Sequence, residues 1–196
     1  MREVKPGVWH WAAMHPDWMP PEDWTQHEVS SYAIRDGERL LLFDPLAVPD
    51  EIERLASERE TAIVLTSTWH RRDATDLRER HGWPIYAPPP DRDPDPVKGH
   101  VFRPGDRLPV GVEAFSGRED PLDPVLWVES RRALVTGDTL VDRGRGLEFL
   151  KEWVPEGADP ERTLEGLRSL LDLPVELVLP THGPPADRAA LERALS

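Results

Sequence analysis

The 196-residue chain contains no cysteine. A disulfide, a thiolate zinc site and a thiol nucleophile are thereby excluded, and any metal must be held by histidine, aspartate or glutamate. Asparagine is also absent, glutamine occurs once (Gln26), and three lysines stand against 21 arginines. A GC-rich genome explains this bias through codon usage. A heat-loving source explains it through chemistry, since few amides and many prolines suit high temperature. Positive charge is scarce, with 24 basic against 37 acidic side chains and a net charge of −13. That balance argues against a general nucleic-acid binder or a binder of anionic membranes. No apolar run approaches the roughly 18 residues of a membrane span. The N-terminal Met-Arg-Glu-Val-Lys-Pro has no signal-peptide hydrophobic region, so a cytoplasmic location is expected. The length fits one domain over residues 1–196, large enough to bury a core without staples.

What is present is punctuated by 22 prolines and anchored by eight tryptophans. The stretch up to Glu28 is rich in both, and its HPDWMPPEDW core is too interrupted for a regular helix; it reads as an ordered loop pinned by aromatics. Residues 31–35 and 40–43 flank Asp36-Gly37, a strong hairpin dipeptide. A short helix follows over 50–57 with Asp50 as its N-cap. Residues 62–65 read as a buried strand, 73–81 as a helix stopped by Gly82, and 85–87 as another strand. Residues 88–100 form a Pro/Asp-rich loop. Strands are expected over 110–115, 124–128, 133–136 and 176–179, and helices over 159–171 and 186–195, the first with Pro160 in its opening turn. Hairpins early, and strands alternating with helices later, give mixed α/β sheets with antiparallel pairs.

Polar residues at the carboxyl ends of strands are the places to look for function. There are four. Asp44 ends an apolar strand. Thr66-Ser-Thr-Trp-His-Arg-Arg-Asp73 joins a strand to a helix. Thr136-Gly-Asp138-Thr follows another strand, and Pro180-Thr-His182-Gly-Pro follows the last. This order resembles the metallo-β-lactamase superfamily over nearly the whole chain. The resemblance implies a four-layer αββα sandwich with its site along one edge. The family's motifs run as an early Asp, H-x-H-x-D-H, a His after a Gly, G-D, and a late His before Gly. Here they fall on Asp44, segment 66–73, Gly117-Arg118, Gly137-Asp138 and His182-Gly183.

The ligand positions depart from that pattern. With the family's first His laid on Thr68, His70 keeps the second His, Arg72 stands at the Asp and Asp73 at the last His. One residue earlier, the positions become Ser67, Trp69, Arg71 and Arg72, and no good ligand survives. The third His falls on or near Arg118. The resemblance then implies a metal set of His70, Asp73, Asp138 and His182, enough for at most one divalent ion (Zn, Fe or Mn), or none. Asp138 and His182 would carry catalysis, and Arg72, Arg118 and Trp69 would contact a small, anionic substrate. Two functions follow. The first is a hydrolase acting on a small molecule through one metal and its water. The second is a metal-free, non-catalytic binder of anions or small molecules, with an ionic network at the metal position. Plainer roles also fit single residues: Asp73 as a helix N-cap, Asp44 as a turn residue or a support for a ligand, His70 as a packed histidine. His10, His15 and His27 read as loop histidines.

Overall fold

Leu40, Leu41, Leu42 and Phe43 are consecutive and fully buried, so both faces of their strand must be covered. The structure, a computed structural model, describes residues 1–15, 27–91 and 97–196, and it supplies both covers. One sheet holds β1 (Arg2–Lys5), β2 (Val8–Met14), β3 (Glu28–Asp36), β4 (Arg39–Phe43), β5 (Glu60–Val64), β6 (Ile85–Ala87) and β7 (His100–Val101), side by side in chain order. The first four are antiparallel neighbours, and β4 to β7 run parallel. The second sheet begins with β8 (Arg107–Leu108), β9 (Val112–Phe115), β10 (Val125–Val128) and β11 (Ala133–Gly137). After a small hairpin, β12 (Val141–Asp142) and β13 (Leu147–Glu148), it is completed by β14 (Leu177–Pro180), parallel to β11, and β15 (Ala186–Asp187). Helices α1 (Asp50–Ser57) and α2 (Ala74–His81) follow strands of the first sheet; α3 (Pro160–Leu167) and α4 (Arg188–Ala194) accompany the second.

Three apolar clusters make the layers. Between the sheets, Ile34, Leu41, Phe43 and Val64 meet Val112, Leu126, Val128 and Leu179. On the outer face of the first sheet, Leu40, Leu42 and Ile63 pack with Ile52 and Ala56 of α1 and Leu77 of α2. On the outer face of the second, Trp127, Leu134 and Val178 pack with Leu164 and Leu167 of α3 and Leu191 of α4. The order is helix, sheet, sheet, helix, so the αββα sandwich expected from the motif order is the fold. Alternate residues of β4 face different clusters, as the two-residue period of a strand requires.

Several local expectations shift. The N-terminal segment up to residue 14 is two strands, not a loop. Tertiary pairing decides it, since β2 runs opposite β3 from Val8↔Ile34 to Met14↔Glu28. The HPDWMPPEDW core falls almost wholly outside the described residues. Helix α1 starts at Asp50, with Pro49 at its N-cap and no side-chain cap. The 159–171 helix is α only over Pro160–Leu167 and tightens to a 3-10 turn over Arg168–Asp172, while Asp159 caps it through bonds from the Glu161 and Arg162 amides. The loop expected over 88–100 ends in β7. Among the described residues no helix is long and apolar enough to cross a membrane.

Phe43 contributes to the cluster between the sheets with no exposure. Phe43→Ala is expected to destabilise the protein by about 3–5 kcal/mol, read as a lower urea midpoint at an unchanged slope.

Candidate functional site

Parallel pairing brings four strand ends to one edge. Phe43 lies beside Val64, so β4 and β5 finish together; Gly137 lies beside Pro180, so β11 and β14 do the same. The residues just beyond are Asp44, Thr66, Asp138 and His182. The last of these is carried by a backbone held at every carbonyl. Tyr32 Oη donates to the Pro180 carbonyl at 2.6 Å and the Ser30 amide to Thr181 at 2.7 Å. The Asp142 amide donates to the His182 carbonyl at 2.8 Å, and Ser30 Oγ donates to Gly183 at 2.9 Å.

The centre of the site is a histidine between two carboxylates. His70 ends the 3-10 turn Thr68–His70 that follows β5, and the turn is capped by Ser67 Oγ. Its Nδ1 lies 3.1 Å from Asp44 Oδ2, and its Nε2 lies 3.4 Å from Asp138 Oδ2. Asp44 also accepts from the Thr66 amide at 2.8 Å and the Thr66 hydroxyl at 2.5 Å. His182 Nε2 approaches the other oxygen of Asp138 at 3.5 Å. The Trp153 ring meets His182 edge-on at 5.9 Å.

Both arginines enter this region. Arg72, whose φ of 41° is unusual for a residue other than glycine, donates to the carbonyls of Asp44 at 2.6 Å and Ser30 at 2.9 Å. Arg118 Nε pairs with Asp123 Oδ2 at 3.1 Å, and its guanidinium lies 5.8 Å from the Trp153 ring centre. Gly117 permits this approach. A Cβ there would sit 1.9 Å from the Asp123 carbonyl, so only glycine fits.

Of the residues named from the sequence, the structure brings together His70, Asp138 and His182, with Arg72 and Arg118 around them. Asp73 is used elsewhere: its Oδ2 accepts from the Ala47 amide at 2.6 Å, and it sits at the N-cap of α2 without bonding to that helix through its side chain. Trp69 is 48 % exposed on the turn that carries His70. Sequence reasoning passed over Asp123, which has no exposure at all. Its one signal was a carboxylate in Asp123-Pro124 directly before a strand of four apolar residues.

Electrostatics follow from burial and pairing. Burial disfavours an imidazolium, yet Asp138 and Asp44 outweigh it and push His70 up to about 10. Burial would raise Asp138, but His70 first, then His182 and Arg118, hold it well below the usual carboxylate range. Asp44 is likewise held low, against burial, by His70 and Arg72. Burial and the charge of Asp138 push Asp123 up to about 7, opposed by Arg118. His182 is moved down to about 4, chiefly by burial, despite Asp138. With Asp123 ionised, three carboxylates face two guanidiniums and one imidazolium, and the charges balance.

No family model matches the chain, and no curated protein sequence matches it. Solved structures do. A di-iron-bound structure of TTHA1623 is 24 % identical, covering 85 % of this chain and 93 % of its own, with a TM-score of 0.65. The DIM-1 metallo-β-lactamase is 15 % identical, covering 98 % and 93 %, with a TM-score of 0.71. A metallo-β-lactamase from Hirschia baltica is 18 % identical, covering 99 % and 94 %, with a TM-score of 0.69. The chain has the metallo-β-lactamase fold.

The donor set of this metallo-β-lactamase-fold chain does not suit a pair of metals. Two divalent ions would add four positive charges to a cluster that is neutral once Asp123 ionises and would face two fixed guanidiniums. Among the described residues no group of three or more His, Asp or Glu side chains is placed to hold a metal ion. A single ion would need His70, Asp138 and His182, and His70 would first have to give up its Nε2 proton. Three buried side-chain oxygens among the described residues make no hydrogen bond, and all lie on the site's segments: Thr68 Oγ1, Asp123 Oδ1 and Asp138 Oδ1. Beside His182, a cavity of about 540 Å³ opens over His10, Ala12, Met14, Ser30, Gly183 and Pro184.

The His70 imidazolium stabilises the fold fully below 6.5, and that contribution is lost as pH rises through about 10. Asp138 contributes fully above its ordinary 3.8, and that contribution is lost progressively as pH falls from there through its lower folded value. Imidazole NMR titration is therefore expected to show His70 protonated at pH 8 and His182 neutral. Asp44→Asn removes one partner of the buried pair and is expected to cost about 3–5 kcal/mol, measured by urea unfolding, with the His70 titration moving down.

Proposed function

We propose that this chain is a metal-independent, small-molecule-binding protein on the metallo-β-lactamase fold. A balanced network of carboxylates, guanidiniums and one imidazolium stands at the edge where the fold's metals are bound. One observation carries the reading: both ring nitrogens of His70 face carboxylates, at 3.1 and 3.4 Å. Between two carboxylates the ring is favoured in its doubly protonated form, and in that form it has no lone pair for a metal. The cavity of about 540 Å³ beside His182 is within the ordinary range for a small ligand. The two arginines already bind carbonyl and carboxylate oxygens of the protein. They hold the site together, and neither lines that cavity.

A second reading, a hydrolase with one metal, is favoured by a separate observation. The Nε2 atoms of His70 and His182 both face Asp138, and Asp138 Oδ1 makes no hydrogen bond. In that case His70, Asp138 and His182, which do not stand as a ready ligand group, would have to draw together to hold the ion, which would supply an activated water. Arg118 and Trp153 would wall the reacting space, and Asp44 would fix the His70 ring through Nδ1.

Elemental analysis separates the two. Protein reloaded with Zn, Fe or Mn and then desalted is expected to retain far less than one ion per chain. Retention of about one ion, lost in His182→Ala, would establish the one-metal reading instead.

A further inference from the structure

In the antiparallel pair β2–β3, His10 stands opposite Tyr32, Ala12 opposite Ser30 and Met14 opposite Glu28. These six residues share one face of the sheet, and five of them line the cavity of about 540 Å³. On that face His10 Nε2 lies 2.8 Å from Ser30 Oγ. The His10 ring is stacked on Tyr32, with centroids 5.1 Å apart and planes inclined by 26°, so its orientation is fixed. Burial, with help from Arg2 and the N-terminal amine, moves His10 down to about 4. It is therefore a neutral base at pH 7.

From this geometry we propose that Ser30 and His10 form a reactive serine–base pair, opening on the cavity, that takes small carboxylic esters with an apolar acyl group. As it stands the hydroxyl donates its one hydrogen to the Gly183 carbonyl, with His10 Nε2 at 2.8 Å and Tyr32 also within reach, so the reactive rotamer must leave Gly183. Turned to His10, it is set for deprotonation. Ser30 Oγ bonds to the ester carbonyl carbon as its proton passes to His10 Nε2. The carbon–oxygen bond to the leaving alcohol then breaks, and the alcohol takes that proton. Water, deprotonated by His10, next attacks the acyl-serine, which releases the carboxylic acid and restores the hydroxyl. Ala12, Met14 and Pro184 supply the apolar wall for the acyl group. The inference rests on the cavity of the proposed function but not on its ionic network, so metal retention and serine reactivity succeed or fail separately.

The test is covalent labelling of the full chain with diethyl 4-nitrophenyl phosphate, located by peptide mass spectrometry. Near-stoichiometric phosphorylation of Ser30 is expected, with Ser31 unlabelled as the internal control. His10→Ala should slow labelling about 100-fold, in protein whose circular dichroism matches the wild type. Wild-type protein unlabelled at Ser30, or labelled equally fast after His10→Ala, would overturn the proposal. Hydrolysis of 4-nitrophenyl butyrate that persists in Ser30→Ala would do so as well.

Discussion

A buried carboxylate has to be answered by positive charge or by hydrogen-bond donors, and at the sandwich edge that demand falls first on Asp44. It sits at the end of β4 with φ at 45° and 2 % of its surface exposed. Its two oxygens take the Thr66 amide, the Thr66 hydroxyl and the His70 ring, while its carbonyl takes Arg72. Through those bonds it fixes the end of β5, the turn that carries His70 and the start of α2. The unusual backbone at Asp44 and at Arg72 is kept because so many bonds determine it at once. His70 then hands the requirement across the gap between the sheets to Asp138, and Asp138 hands it to His182. Residues from both halves of the chain are joined by charge as well as by the apolar layer beneath them.

Apolar runs and turn signals made the mixed α/β sheets legible in the sequence, while the layer order came from the resemblance carried by the ordered strand-end motifs. Leu40 to Phe43 read as an apolar strand, and Asp44, Gly137-Asp138 and His182-Gly183 marked where strands stop. The N-terminal strands were not legible. Trp, His and Pro at high density look like loop chemistry, and what makes 8–14 a strand is β3, a partner some twenty residues away. Asp73 was misread for a related reason. A motif register fixes where a residue falls in sequence, but a short bond to the Ala47 amide decides which way its carboxylate turns. Asp123 escaped notice because nothing local marks a buried acid. Its burial comes from Gly117, Thr139 and Arg118 closing over it.

The two halves of the site differ in how they are held. His70 is held by its side chain, through carboxylates on both nitrogens. His182 is held by its backbone, with four successive carbonyls bonded to Tyr32, Ser30 and Asp142. The His182 ring itself stands between Asp138 and the edge of Trp153.

The balanced cluster also limits how this site can change. Replacing Arg72 or Arg118 by a metal-ligating residue leaves a buried acid without its cation, and replacing Asp44 or Asp138 leaves a buried cation without its acid. Each step alone carries the cost of an uncompensated interior charge. A route from this arrangement to a two-metal centre therefore passes through several simultaneous substitutions. The ionic network acts as a ratchet: once assembled, it holds a lineage, or a protein engineer working one residue at a time, away from a two-metal centre.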